Sequence, residues 1–438
     1  MNPNFSVHPN NFNSLMLFGL SLGNYALMYW ANIFLARHLE IGEFDDFSVA
    51  VSTVTLLSTL ATLGLEKYAL RGISLFIERE NWPRLRGFLR FSLRAILLFS
   101  LMLIGFISFG LKGFLAWQQA DFHIAIALYT GFLPVIATCL FLIEVVTVYG
   151  QQILALALYR FFLPALFLLL LMLLKDMRIE LTAASAVVCF GSAWCVTLLL
   201  MWITTQAARP SDLRHTPGEN YRRKFWLRKS LPLLLSSLMM SILTSAGTII
   251  LQILHPSQAT VAIYAIAMQT SALISLIGTS TNRYYLPMLV VLLERRDQRA
   301  IKHLLRKRLQ LIVGFVAVFL TVIGIWGHEI LDLFGPTFSQ GYWALMISAG
   351  GTVFMTLFSD ALYYLQFMGR NVTVIVLMSL FAACMVALSL HLGATHEATG
   401  VAIAYAAPTA LLFCSLKLLA NRHMHYYLSA NAPNAPRL

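Results

Sequence analysis

Twelve times along this chain an apolar run of 18 to 27 residues recurs, and each can cross a ~30 Å hydrocarbon core as a helix rising about 1.5 Å per residue. The runs are Ser14–Leu35, Phe47–Leu70, Phe91–Leu111, Phe122–Val146, Gln152–Leu174, Leu181–Ile203, Leu231–Leu254, Val261–Leu286, Leu309–Trp326, Tyr342–Met368, Val372–Leu392 and Gly400–Leu419. Apolar residues make up 59% of the 438 and charged ones only 11%, too few to cover a water-soluble domain. The expectation is an all-α integral membrane protein with about twelve transmembrane helices. The first run has no basic stretch ahead of it and carries Trp30 near its end, so it is expected to be a span and not a cleaved leader.

Arginine and lysine fall almost wholly on one side of this arrangement. Arg71, Arg79, Arg84, Arg86, Arg90 and Arg94 follow the second run; Arg209, Arg214, Arg222, Arg223, Lys224, Arg228 and Lys229 follow the sixth; Arg295, Arg296, Arg299, Lys302, Arg306, Lys307 and Arg308 follow the eighth. The other side carries only Arg37, Lys112, Lys175 and Arg178. The positive-inside rule places the basic loops, and with them both termini, in the cytoplasm. Topology alone thus accounts for the net charge of +12, and no nucleic-acid partner is called for. The segments Arg84–Arg94 and Arg295–Arg308 read as short amphipathic surface helices, with Leu85, Phe88 and Phe91 dipping into the interface. The five cysteines lie inside spans without metal-ligand spacing, and His423 and His425 are too sparse for a site, so no metal and no cofactor is expected.

A charged linker, Thr205 to Arg228, separates six runs from six, dividing the chain into 1–208, linker 209–228 and 229–438. Shifting the sequence by 217 residues lays Phe47-Ser48-Val49-Ala50 over Tyr264-Ala265-Ile266-Ala267, and pairs Tyr68 with Tyr285 and Glu66 with Arg283. Six is even, so both halves start on the same side and form parallel repeats about an axis along the membrane normal. Two such lobes around a shared central cavity suit a carrier.

Few ionisable groups remain within the hydrocarbon, where each costs at least ~2.5–3.5 kcal/mol on insertion scales and so faces a partner or water. They are Glu66 and Lys67 in the second span, Glu144 in the fourth, Arg160 in the fifth, Arg283 in the eighth and Asp360 in the tenth. All six map to the midplane or the cytoplasmic half. Lys67, Arg160 and Arg283 are the candidate substrate-binding groups, since guanidinium and ammonium grip phosphate oxygens strongly where water is scarce. Glu66, Glu144 and Asp360 are candidates for ion coupling or for holding those cations in place. Asn24, Asn32, Gln252, Gln269, Asn282 and Gln366 add polarity to the interior; Gly350-Gly351 and Pro287 are candidate bending points. No phosphate-cradling glycine loop or nucleophilic triad is present, so neither ATP hydrolysis nor covalent catalysis is expected.

The run Ala36-Arg37-His38-Leu39, then Gly42-Glu43-Phe44, then Leu63-Gly64-Leu65, resembles the start of polysaccharide-transporter proteins, a family of the multidrug/oligosaccharidyl-lipid/polysaccharide exporter superfamily. Leu333-Phe334-Gly335-Pro336 and Gly400-Val401-Ala402-Ile403-Ala404 are similar to their second half. The resemblance implies two six-helix bundles forming a V around a central cavity, alternating access, and residence in a bacterial inner membrane. It implies a Wzx-type flippase carrying undecaprenyl-diphosphate-linked oligosaccharide for O-antigen, capsule or exopolysaccharide assembly, beside a polysaccharide polymerase and a chain-length regulator. The chain departs from the family at Glu40 and Asp45, where relatives often have glycine. It also lacks the first-helix and mid-eighth-helix arginines of relatives that flip the peptidoglycan precursor. A cation-coupled drug exporter is the alternative, disfavoured because the first and seventh spans hold no acid. A polymerase or ligase would need a large outer loop, and the outer connections here are short.

Overall fold

The computed structural model describes residues 11–118, 124–215, 218–255, 259–294, 298–368 and 370–428, and every regular element among them is helical. The first bundle comprises α1 (Asn11–His38), α2 (Ile41–Ala61), α3 (Leu65–Glu78), α4 (Trp82–Gln118), α5 (Ile124–Gly131), α6 (Leu133–Val148), α7 (Gln152–Ala157), a π turn (Leu158–Phe162), α8 (Leu163–Asp176) and α9 (Ala183–Ala207). A short α10 (Ser211–His215) lies in the linker. The second bundle comprises α11 (Arg223–Leu254), α12 (Thr260–Ala272), α13 (Ser275–Glu294), α14 (Gln298–Asp332), a 3₁₀ turn (Pro336–Gly341), α15 (Tyr342–Leu357), α16 (Ser359–Phe367) and α17 (Asn371–Leu428). Nine helical stretches among the described residues are long and apolar enough to span a membrane, or ten if α5 and α6, bent by 46°, count as one. α1 adds a helix of spanning length. α17, about 87 Å long if straight, bends at His396 and Glu397 and so covers two of the sequence runs. The twelve apolar runs therefore all find helices, several as broken pairs.

Those breaks have local causes. Leu63 and Gly64 take positive φ (52° and 68°) between α2 and α3, and a Cβ on Gly64 would lie 2.5 Å from the Ser230 carbonyl oxygen of α11. Only glycine satisfies both demands. Pro164, in the first turn of α8, has no N–H to offer the carbonyl four residues back, which belongs to Arg160. The helix widens into its π turn at that point, as helices commonly do near functional groups. Gly351 is no bending point: α15 runs unbroken through it, and the Ala406 backbone of α17 presses to 2.7 Å from where its Cβ would stand. Pro287 lies within α13.

Both basic segments read as surface helices prove to be the starts of long helices. Arg84–Arg94 belongs to α4, where Leu85 and Phe88 are fully buried. Phe88 meets Tyr68, Phe76, Phe141 and Trp226 edge-on or tilted at 5.4 to 6.2 Å between ring centres. Its apolar stripe faces protein because α3 and α11 cover it. The linker returns over the same end, with Asn220 donating to the Pro83 carbonyl (3.0 Å) and Arg90 pairing with Glu219. Residues 295–297 of the other segment lie outside the described residues; from Gln298 on it is the first part of α14.

The two bundles share one hydrophobic core, which joins them at the far end and along the α11 face. One buried cluster fills the first bundle and continues into the second through Val261–Ala267, Ile312–Ile323, Leu331–Phe338 and Val401, and at the basic end through Trp226 of α11 against Phe88. A second cluster, with Leu289, Tyr364, Met378 and Phe413, occupies the basic end of the second bundle by itself. The molecule is thus joined at the far end and along the α11 face, and divided toward the basic end on the other face, a V of helical bundles.

Candidate functional site

Polar bonds across the seam between the bundles follow the same division. From the far end inward, Arg37 Nε donates to the Leu333 carbonyl (2.7 Å), Asn32 Nδ2 to Gln269 Oε1 (2.8 Å), and the Tyr29 hydroxyl meets Thr270 Oγ1 (3.3 Å). The ladder between α1 and α12–α13 ends at Tyr25 and Ser275, 3.5 Å apart. Further toward the basic end α1 stays with its own bundle, packing on α7, the π turn and α8. On the opposite face α2 and α3 pack along α11, with Thr59 and Ser241 hydroxyls 2.9 Å apart. One face is closed over its length; the other opens from the middle toward the basic end.

Asp45, at the far end of α2, is 3% exposed, and its Oδ1 accepts the Ala262 backbone N–H in the first turn of α12 at 2.6 Å. These two positions are 217 residues apart, the spacing of the internal repeat.

Just where the α1–α13 ladder stops, the first bundle gathers its charges. Arg160, half-buried on the π turn, donates to the Ser21 hydroxyl of α1. Phe161 beside it lies over Gly23 of α1, at ordinary contact distance from where a Cβ would stand (3.5 Å). Tyr159 stands within electrostatic reach of Arg160, Glu144 and Tyr25. Glu144 of α6 in turn faces Lys67 of α3 at 3.8 Å. The Lys67 side chain is 49% exposed, and an ion pair that wet and that long contributes about 0–1 kcal/mol, so the lysine is readily recruited by a stronger anion. Glu66 sits in the first turn of α3, where the helix N-terminus favours a carboxylate; it is buried, with Oε2 lacking a hydrogen-bond partner among the described residues. Lys67, Glu144 and Arg160 are therefore in one neighbourhood. The side chain of Arg283 lies outside the described residues. Its backbone is on α13 eight residues past Ser275, about 12 Å toward the basic end along the same seam.

Asp360 does not join them. It opens α16 in the second bundle, 2% exposed, and bonds Arg308 Nη1 at 3.1 Å and Lys417 Nζ at 2.9 Å. Arg308, also 2% exposed, further donates to Ser359 Oγ (2.7 Å) and the Leu357 carbonyl (3.3 Å), while Asn282 Nδ2 reaches the same serine at 3.0 Å. Sequence reasoning missed Arg308, which ended a basic run, and Lys417, which lay just inside the end of the twelfth span. A lone aspartate inside a span was the available signal, since such a group needs a cation beside it.

No family model and no curated protein sequence matches the chain. Solved structures do. An inward-facing multidrug resistance MATE family transporter of the MOP superfamily superposes with a TM-score of 0.74 at 13% identity, over 96% of this chain and all of that one. The lipid II flippase MurJ in an inward closed conformation gives 0.69 at 12% identity, over 96% and 94%. A Vibrio cholerae MATE transporter gives 0.64 at 15%, over 95% and 98%. The fold is that of MOP superfamily transporters. These neighbours are transporters and a flippase, not enzymes, and the chain has their multi-pass membrane architecture.

Proposed function

We propose that the protein is a flippase. It moves undecaprenyl-diphosphate-linked oligosaccharide from the cytoplasmic to the periplasmic leaflet of a bacterial inner membrane by alternating access, for O-antigen, capsule or exopolysaccharide assembly. The observation that carries this reading is the position of Arg160, on a π turn where the seam opens, tied to α1 through Ser21 with Lys67–Glu144 nearby. A diphosphate entering from the basic end meets Lys67 first, its pairing with Glu144 long and wet, and Arg160 deeper. Arg283 is assigned to the facing wall on α13. Bidentate guanidinium–phosphate bonds in a water-poor vestibule supply the binding energy that the sugar cannot. Glu66 and Glu144 are the proposed coupling groups; Asp360 is assigned to charge pairing.

The MATE neighbours favour a second reading, a cation-coupled drug exporter. Neither α1 nor α11 contains Asp or Glu, so these helices offer no carboxylate to an ion or a cationic drug. Arg160→Ala separates the readings. The expected result is membrane insertion at the parent level with loss of surface polysaccharide and an unchanged drug-sensitivity profile. Normal polysaccharide in a well-expressed variant overturns the flippase assignment of Arg160.

A further inference from the structure

Outside the seam, at the basic end of the second bundle, a cleft of about 440 Å³ opens between the start of α14, the α15–α16 junction and the last turns of α17. Its charged lining is Lys302, Arg306, Arg308 and Lys417 against a single carboxylate, Asp360. Asp360 fixes the two inner cations without exhausting them. Lys417 gives it one of three N–H bonds, and its side chain remains 25% exposed. Arg308 spends Nη1 on Asp360 and Leu357 and Nη2 on Ser359, while its buried Nε has no hydrogen-bond partner among the described residues. The clamped guanidinium gives the base of the cleft a fixed positive charge, beside a lysine with N–H donors to spare for an oxyanion. Asparagine at 421 adds a neutral hydrogen-bonding group at the mouth.

The surroundings identify what carries the anion. Leu309 at the cleft edge is 41% exposed, and farther along the same helices Leu311 and Val318 of α14 and Leu411 and Leu418 of α17 are 54%, 65%, 58% and 71% exposed. These outward apolar faces lead from the cleft along the span, the path of acyl chains from a headgroup at the membrane boundary. We propose that this cleft is a binding site for the phosphodiester headgroup of an anionic phospholipid. Arg308 and Lys417 hold the phosphate, Lys302 and Arg306 draw it in, and the chains lie against α14 and α17. The site is separate from the proposed transport vestibule, and the proposal does not depend on what crosses there.

The test is titration of the purified full chain in detergent with short-chain phosphatidylglycerol, read by native mass spectrometry and thermal shift. Diacylglycerol with the same chains and inorganic phosphate are the other arms. Lys302→Gln/Arg306→Gln removes the outer cations without touching the buried network. We expect saturable phosphatidylglycerol binding by the parent, weakened about thirtyfold in this variant, since each surface cation near an anionic lipid contributes on the order of tenfold or less. Diacylglycerol should give no shift and phosphate alone a smaller one. Equal lipid affinity in parent and variant, or an equal shift from diacylglycerol, overturns the site; a phosphate shift matching the lipid's overturns its assignment to a phospholipid.

Discussion

The bond between Asp45 and α12 exists only while the far ends of the bundles touch, so cutting it should bias the conformational equilibrium if the chain works by the proposed alternating access. Asp45→Ala removes the carboxylate that caps the first turn of α12. Losing this cap leaves the buried Ala262 N–H without its acceptor and costs about 1–2 kcal/mol. The penalty falls on the far-end-closed state alone. It corresponds to roughly a five- to thirtyfold rise in the ratio of far-end-open to far-end-closed molecules. Asp45→Asn is the informative control. It keeps an oxygen for Ala262 and removes the charge of a carboxylate whose second oxygen, Oδ2, has no hydrogen-bond partner among the described residues. The lost dipole interaction and the relieved desolvation oppose each other, so its effect should stay within about 0.5 kcal/mol. Spin labels at Met177 and Trp343, 69% and 66% exposed on opposite bundles at that end, would read the opening as a distance distribution once the native cysteines are replaced. A distribution unmoved by Asp45→Ala, or moved equally by Asp45→Asn, would refute the capping argument.

Two further substitutions probe packing, the first between the bundles and the second within one of them. Gly64→Ala forces a side chain into left-handed φ and against α11 backbone, and should lower stability by about 2–4 kcal/mol in detergent unfolding; a parent-like transition would mean α2 and α11 are not in contact at this point. Asp360→Ala strands Arg308 and should cost about 3 kcal/mol or more, whereas Asp360→Ala/Arg308→Leu should recover much of it. A double variant no more stable than the single one would show that the pair is not coupled.

What the sequence made legible and what it hid divide along a physical line. Bilayer thickness imposes a length on every span, so twelve runs could be counted without knowing what touched what. Arg160 stood out for the same reason: a guanidinium that deep has no route to water along its own helix. Leu85 and Phe88 show the limit, because an apolar stripe fits equally against acyl chains or against protein, and only the return of α3 and α11 decides between them. Arg308 was hidden by its neighbours in a basic run. Its burial depends on α14 beginning eleven residues earlier than the apolar stretch, and on aspartate and lysine brought in from 52 and 109 positions away. Asp45 is the most instructive residue. On the sequence it was an unexplained acid where relatives often carry glycine; in the fold it caps a helix of the other bundle, 217 residues on. A bond between two distant segments leaves no trace in either segment read alone. The residues that tie the halves together are therefore those for which a single sequence says least, and perturbing Asp45 tests the architecture more directly than changing any of the charges that the sequence singled out.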